Sequence, residues 1–339
     1  MNAQQKLADG MREFEQTHKR ISEQNGIPSE ITEDMLAQVK NELGFGCVCT
    51  TLDSLLVMEL PEPEPILSPW LTKQGVYMLY AWRGLGKSWF AMMVAYAAAG
   101  GGAFLKWKAS RKWRVLYIDG ELPARVLQKR FALIVNSFDE EPDAGSFNII
   151  TPDTQHNGIM PNLSDPIGQA VIDVYANEAD LIIVDNLSTL ARTGKENEGE
   201  SWLPVQGWAL RHRAQGRAVL FIHHSGKNGQ QRGASRREDI LDAVITLKRP
   251  AEYQSSEGAR FEVIFEKARH LSGDDADPID ARLITDGDTI RWDWKPAEDS
   301  LAERIEALTE EGASRSDILA DTGLSRFALK RLVESANER

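Results

Sequence analysis

The sequence predicts an α/β fold in which a mostly parallel β-sheet is flanked by helices. Short apolar, β-branched runs alternate with segments of helical length, which is typical of parallel strands joined by helical crossovers. A glycine-containing turn connects the first run to a helix predicted over residues 89–99, and a later run ends in a carboxylate. The predicted strands are residues 76–80, 115–119, 147–150, 181–185, 218–223, 243–247 and 261–265.

Composition divides the chain into three parts. Residues 1–60 form a helical N-terminal segment and linker, polar and helix-prone up to about residue 45. The proline-rich connector at residues 60–65 is too stiff and too poor in N–H donors for a helix or a central strand. Residues 61–297 carry the alternating strands, with a late strand at 289–294. A polar link at 251–260 joins two runs that can be antiparallel neighbours. Residues 298–339 form a compact helical tail.

The tail has the pattern of a helix-turn-helix module. Residues 314–317, Ser-Arg-Ser-Asp, are a capping box, and Gly323 marks a turn before a helix with Arg326, Lys330 and Arg331 on its exposed side. Such a module can read DNA. A unit of about 40 residues can equally pack against the chain or dock a partner protein.

Composition also predicts a soluble, cytoplasmic protein. Of the 339 residues, 42 % are hydrophobic, which is enough for a sizeable core, yet no apolar run approaches the roughly 20 residues of a membrane span. The net charge of -12 argues against a broad basic face that coats duplex DNA, because such binding depends on many contacts between cations and phosphates. We therefore expect no membrane partner and only local contacts with nucleic acid.

Residues 81–88, Ala-Trp-Arg-Gly-Leu-Gly-Lys-Ser, form a P-loop whose first glycine is replaced by alanine. Backbone N–H groups of such a loop bind the phosphates of ATP, while the lysine supplies a cation and the serine a hydroxyl for Mg²⁺. Alanine fits the first position if its φ stays negative. The alternative is a strand-to-helix turn that contains Gly-Lys-Ser by chance. The predicted nucleotide-binding residues are Ala81, Arg83, Gly84, Gly86, Lys87 and Ser88.

Two carboxylates follow predicted strands that reach the same sheet edge. Asp185 ends the apolar strand at 181–185, where it can hold a magnesium-bound water together with Ser88. The next residue is Asn186, so a catalytic base must come from elsewhere. Glu121 follows the strand at 115–119 and can orient the water that attacks the γ-phosphate. The alternatives are a strand-end cap for Asp185 and a helix N-terminal glutamate for Glu121.

Polar and basic residues follow the strand at 218–223. His223 and His224 point to opposite faces of a strand, so at most one contacts phosphate as a sensor of the γ-phosphate, and the other is a core or loop-anchoring histidine. The loop at 226–237 contains four cations and no acidic residue, which makes it the predicted contact for single-stranded DNA. A solvated charge run is the alternative. The cations are Lys227, Arg232, Arg236 and Arg237.

In this order the motifs resemble those of the RecA-like ATPases, and most closely the plasmid and phage RepA-type replicative helicases, which form hexameric rings. The resemblance spans residues 53–274 and rests on the P-loop, 117–121, 185–188, 221–227, 232–235 and 266–269. It implies that Glu121 is the catalytic glutamate, Asp185 the Walker B aspartate, and His224 or His223 the sensor. It also implies a DNA-facing role for the basic loop.

The resemblance further implies that Lys267 and Arg269 reach the ATP site of a neighbouring subunit. Their spacing sends both cations to one side of a strand, and an arginine that enters from a neighbour can accelerate hydrolysis by roughly 10³ to 10⁵. Ordinary exposed cations at a strand end are the alternative. The family also implies partners: single-stranded DNA, copies of the same chain in a ring, and replication proteins bound through the terminal modules.

Three functions fit these residues. The favoured one is a ring-forming, ATP-hydrolysing helicase that acts on single-stranded DNA in replication of a plasmid, phage or other mobile element. The second is an ATP-dependent DNA-binding regulator or helicase-loading factor. The third is a noncatalytic oligomer that retains a degraded P-loop.

Overall fold

The computed structural model describes residues 49–60, 62–192, 198–225, 238–250, 253–310 and 312–330. The chain divides into two compact units, residues 1–61 and residues 62–339. In the first unit, helix α1 (Leu52–Leu56) begins after Thr51, whose hydroxyl accepts the N–H of Ser54 at 3.2 Å. The predicted helical segment before residue 46 lies outside the described residues.

The second unit contains two sheets. Its described strands are β1 (Pro65–Ser68), β2 (Leu71–Thr72), β3 (Val76–Ala81), β4 (Ala103–Phe104), β5 (Trp107–Ala109), β6 (Val115–Asp119), β7 (Phe147–Ile150), β8 (Leu181–Asp185), β9 (Ala218–His224), β10 (Ala243–Lys248), β11 (Arg260–Ala268), β12 (Ile279–Asp286) and β13 (Thr289–Pro296). Its described helices are α2 (Lys87–Gly100), α3 (Ala124–Val135), α4 (Pro166–Ala176), α5 (Leu187–Leu190), α6 (Glu198–Ala214), α7 (Ala297–Glu310) and α8 (Arg315–Thr322).

The main sheet has the strand order β13-β12-β11-β10-β3-β9-β8-β6-β7. The strands from β10 to β7 are parallel, and β11, β12 and β13 continue the sheet in antiparallel order. The predicted fold class is therefore confirmed, including antiparallel pairing of the two runs joined by the polar link. Strand β12 and the small sheet of order β2-β1-β5-β4 were not predicted from the sequence. In the small sheet, Pro65 of the predicted connector begins β1.

Both faces of the parallel strands are buried, which explains their continuous apolar sequences. In β3, Tyr77 and Leu79 pack into a core with α2, while Val76 and Met78 pack into a second core with α6. Helices therefore cover both sides of the sheet, and the loops at its carboxyl edge are left to form a site.

The C-terminal helices form their own apolar cluster. Ser314 begins α8 with the predicted capping box, and Gly323 follows its end with φ 67°. Residues 326–330 are again helical, and Ile305, Ile318 and Leu329 lie buried between the helices. Within the described ranges, no helix has the length and apolar character needed to cross a membrane.

Candidate active site

The site lies at the carboxyl edge of the main sheet, where four parallel strands end side by side. Ala81 at the end of β3 is paired with His224 at the end of β9. Asp119 at the end of β6 is paired with Asp185 at the end of β8. The register therefore brings together residues that are far apart in the sequence.

The P-loop connects β3 to α2 in a conformation that depends on its glycines. Gly84 has φ 73°, and Gly86, which caps the start of α2, has φ 109°. Ala81 belongs to strand β3, is buried, and is not among the residues with positive φ. Alanine at this position therefore causes no backbone strain.

Lys87 lies in the first turn of α2 and folds back over the loop. Its Nζ donates to the carbonyl oxygens of Ala81 and Trp82, each at 3.0 Å. Burial lowers the pKa of Lys87 to about 8, against the opposing effect of the nearby Asp185 and Glu121 carboxylates. A phosphate that replaced these two carbonyl groups would raise the pKa of Lys87 again, because a nearby anion favours the charged ammonium form.

Asp185 is buried beside the P-loop. It accepts the hydroxyl of Tyr117 at 2.7 Å and is hydrogen-bonded to Ser88, and burial raises its pKa. Among the described residues, no cluster of three or more His, Cys, Asp or Glu side chains could hold a metal ion. The Ser88 hydroxyl and one carboxylate fit Mg²⁺, which commonly takes one or two protein oxygens and completes its shell with water and substrate phosphates.

Glu121 meets two polar side chains from neighbouring strand ends. The Asn186 side-chain N–H donates to Glu121 Oε2, and His224 Nε2 lies 3.5 Å from the same oxygen and 3.2 Å from Asn186 Nδ2. Burial, followed by the charge of Lys87, lowers the pKa of His224, so its imidazole is neutral near pH 7. His223 instead faces Ser188: its Nδ1 lies 3.4 Å from the Ser188 Oγ.

Asp119 holds the backbone that carries Glu121. Its Oδ1 accepts the N–H groups of Glu121 at 2.8 Å and Leu122 at 2.6 Å. Burial and then the charge of Asp185 raise the pKa of Asp119 to about 7. These hydrogen bonds form a tight turn that directs Glu121 over the sheet edge.

A cavity of about 310 Å³ brings the P-loop together with Glu121, Asp185 and His224. Five of its lining residues were not predicted from the sequence: Trp89, Leu122, Arg130, Gly258 and Ala259. Trp89 could have been predicted, because it directly follows Ser88 of the P-loop. Arg130 lies on α3, and no local sequence pattern marks it. The lining residues are Gly84, Gly86, Lys87, Ser88, Trp89, Glu121, Leu122, Arg130, Asp185, His224, Gly258 and Ala259.

The remaining predicted site residues lie elsewhere. Arg83 is exposed and does not line the cavity. Lys267 pairs with Val244 near the start of β10, and the Arg269 N–H donates to the carbonyl of Asp242, so both lie at the amino edge of the sheet. The structure does not bring them to the P-loop of the same chain. The basic loop with Lys227, Arg232, Arg236 and Arg237 lies outside the described residues.

Arg269 also has an acidic neighbour that its local sequence did not indicate. Its guanidinium lies 3.8 Å from Asp242 Oδ1, as does that of Arg213, and it donates to the carbonyl of Asp239 at 2.8 Å. Asp242 is buried and also accepts the N–H of Val76.

A strand, a glycine loop and a helix that begins with Lys-Ser, opposite a buried strand-end aspartate, define a P-loop nucleotide-binding domain. A model of the AAA domain family matches residues 47–230, more than half of the 339-residue chain. The chain belongs to this family, which confirms the P-loop ATPase domain.

Solved structures with similar folds include a KaiC-like protein from the hyperthermophilic archaeon Pyrococcus horikoshii OT3. The two structures align with a TM-score of 0.47 and 16 % sequence identity. The alignment covers 70 % of this chain and 99 % of the archaeal protein. The flagellar accessory protein FlaH from Methanocaldococcus jannaschii has a TM-score of 0.45 at 14 % identity, with 65 % and 90 % covered. No curated protein sequence matches the chain.

Proposed function

We propose that this chain hydrolyses ATP and acts as a ring-forming, helicase-like motor on single-stranded DNA, in replication of a plasmid, phage or other mobile element. The observation that carries the ATPase part is that Glu121, which contacts Asn186 and His224, lines the same cavity as Lys87. This arrangement contains a base, its orienting amide, a neutral imidazole and a phosphate-binding cation.

The residues have distinct roles in this proposal. Glu121 accepts a proton from the water that attacks the γ-phosphate, and Asn186 orients the carboxylate. Lys87 and the loop amides bind the phosphates, and His224 senses loss of the γ-phosphate. Ser88 and Asp185 would hold Mg²⁺, which neutralises charge on the phosphates when it is bound.

The position of Lys267 and Arg269 supports assembly into a ring, a hexamer in the family that the sequence resembles. Both residues lie at the sheet edge opposite the P-loop, so they cannot complete the site of their own chain. A neighbouring subunit that presents this edge to the cavity would receive their charges.

The second candidate is an ATP-dependent DNA-binding regulator or helicase-loading factor. The capped helical module at the C-terminus favours it, because helix, glycine turn and helix is an arrangement that can read DNA or dock a protein. In that case nucleotide would control assembly with little translocation.

Steady-state ATP hydrolysis with and without single-stranded DNA, together with strand displacement, distinguishes the two. The motor predicts hydrolysis that DNA stimulates and ATP-dependent unwinding, both absent from Lys87→Ala. Nucleotide binding with DNA-independent hydrolysis and no unwinding would favour the regulator. Absence of nucleotide binding by the parent would overturn both.

A further inference from the structure

The chemistry of the cavity fixes which way a nucleotide must lie. Lys87 and the P-loop glycines would bind the phosphates, and Glu121 and His224 would lie beside the γ-phosphate. The ribose and base must therefore extend along the rest of the wall. A cavity of about 310 Å³ is at the lower end of the usual range for small-molecule sites.

The rest of the wall carries an aromatic ring and a cation but no carboxylate. It consists of Trp89, Leu122, Arg130, Gly258 and Ala259. The carboxylates of the cavity, Glu121 and Asp185, belong to the catalytic and metal-binding groups described above. The wall beyond them is thus suited to an aromatic group attached to a phosphate.

Trp89 is only partly buried, so part of its ring stays open to the cavity. Its indole packs against the apolar core beneath α2, and the Arg130 guanidinium lies over the ring, 5.1 Å from its centroid. Arg130 comes from α3, so the pair links the two helices that flank this part of the cavity. A ring fixed in this way loses little conformational entropy when it stacks on a ligand.

We propose that Trp89 forms the stacking surface for the base of the bound nucleotide, with Arg130 as the positioning residue that orients the indole. This inference rests on the proposed function, because it assigns the remaining part of the same cavity. Every base has a π-face, so an indole can bind it without reading its hydrogen-bonding edge. Triphosphate recognition by the P-loop and base recognition by Trp89 are then separable.

Calorimetric titration with two probes tests this separation. The first is an ATP analogue with an imido bridge between its β- and γ-phosphates, and the second is inorganic tripolyphosphate, which has no base. Trp89→Ala should raise the Kd of the analogue by about 5- to 100-fold, the range expected for one lost base stack, and change that of tripolyphosphate less than about twofold. Trp89→Phe should retain most of the affinity for the analogue.

Trp294→Ala is the matched control, because Trp294 is an exposed tryptophan on β13 that does not line the cavity. Arg130→Ala should weaken binding of the analogue more than Arg125→Ala, since Arg125 lies on the same helix and does not line the cavity. Retained tripolyphosphate binding also demonstrates that a variant is folded.

Two results would overturn the proposal while leaving the ATPase intact. One is equal affinity of the parent and Trp89→Ala for the analogue. The other is weaker single-stranded DNA binding by Trp89→Ala with unchanged binding of the analogue, which would place Trp89 in a DNA contact. If the parent binds neither phosphate probe, the proposed function itself fails.

Discussion

At the residue scale, Glu121 is the side chain that the hydrolytic mechanism requires. Glu121→Gln keeps the size of the side chain but cannot accept a proton from water. We expect nucleotide affinity to stay near that of the parent while single-turnover hydrolysis falls by about 10² to 10⁴. Glu178→Gln, at an exposed ion pair with Arg114, is the control. Turnover retained by Glu121→Gln would move the base to another residue.

Lys87 makes nucleotide binding depend on pH. Its pKa in the free protein is about 8, and bound phosphate raises it. Between these two pKa values the free protein has lost a proton that the complex keeps, so binding takes up a proton and weakens as pH rises. The Kd for ATP should increase by up to about tenfold per pH unit above pH 8.

Calorimetry in two buffers with different ionisation enthalpies measures that proton directly. Uptake should approach one proton near pH 9 and be small near pH 7, as expected from a pKa of about 8. Lys87→Arg, which cannot lose its charge in this range, should remove the pH dependence. An unchanged Kd across the same interval in the parent would contradict a depressed pKa for Lys87.

At the element scale, the turn between β3 and α2 should tolerate a side chain at Gly84 better than one at Gly86. A Cβ on Gly86, at φ 109°, would approach the Phe261 ring to 2.9 Å, whereas a Cβ on Gly84, at φ 73°, meets nothing within 4 Å. Gly84→Ala should cost only the strain of a left-handed residue, about 1 kcal/mol. Gly86→Ala adds the contact with Phe261 and should lower the free energy of unfolding further.

Urea unfolding of the two alanine variants compares them on the same loop. The midpoint should fall more for Gly86→Ala than for Gly84→Ala, with similar slopes. An equal fall of the two midpoints would show that Phe261 moves aside without cost. Glycine would then be required at both positions only because of their positive φ.

The central strands could be predicted because each is a continuous apolar run, buried on both faces by helices. Strand β12, Ile-Asp-Ala-Arg-Leu-Ile-Thr-Asp, mixes charged and apolar residues, and the small sheet is built from strands of two to four residues. Such short segments carry too few periods for a pattern to be seen. They are fixed instead by tertiary contacts such as the rings of Trp70 and Trp107, 5.5 Å apart.

In the site, too, residues in a local sequence motif could be predicted, whereas residues brought together by tertiary contacts could not. Lys87, Ser88 and Asp185 lie in local motifs, so their types and spacing identify them. Contacts between distant residues leave no such pattern: Asn186 meets Glu121 across 65 positions, and Arg130 meets Trp89 across two helices. The placement of Lys267 depends on the antiparallel register of β11 against β10, which shifts between Val244 and Ile245.

At the scale of the whole molecule, function depends on whether two copies of the chain share one site. Each copy carries its P-loop at the carboxyl edge and Arg269 at the amino edge. A ring in which the amino edge of one copy faces the cavity of the next would complete every site. A self-contained ATPase would instead use Arg269 only as a neighbour of Asp242.

Mixing two inactive variants distinguishes these arrangements. Arg269→Ala should bind ATP and assemble normally but hydrolyse slowly, since a trans-acting arginine accounts for roughly 10³ to 10⁵ in rate. Arg213→Ala is the matched control, because its guanidinium lies at the same 3.8 Å from Asp242. A loss in Arg269→Ala alone would therefore not come from an altered charge balance at Asp242.

Subunit exchange between Arg269→Ala and Glu121→Gln should then restore part of the activity. In a mixed ring, some interfaces join an intact Glu121 from one copy to an intact Arg269 from its neighbour, whereas neither variant alone contains such an interface. Hydrolysis by the mixture should exceed that of either variant and depend on the mixing ratio. If both variants assemble and exchange subunits but the mixture stays as slow as its components, the site is not shared. ATP turnover would then be complete within one chain, as a self-contained regulator requires.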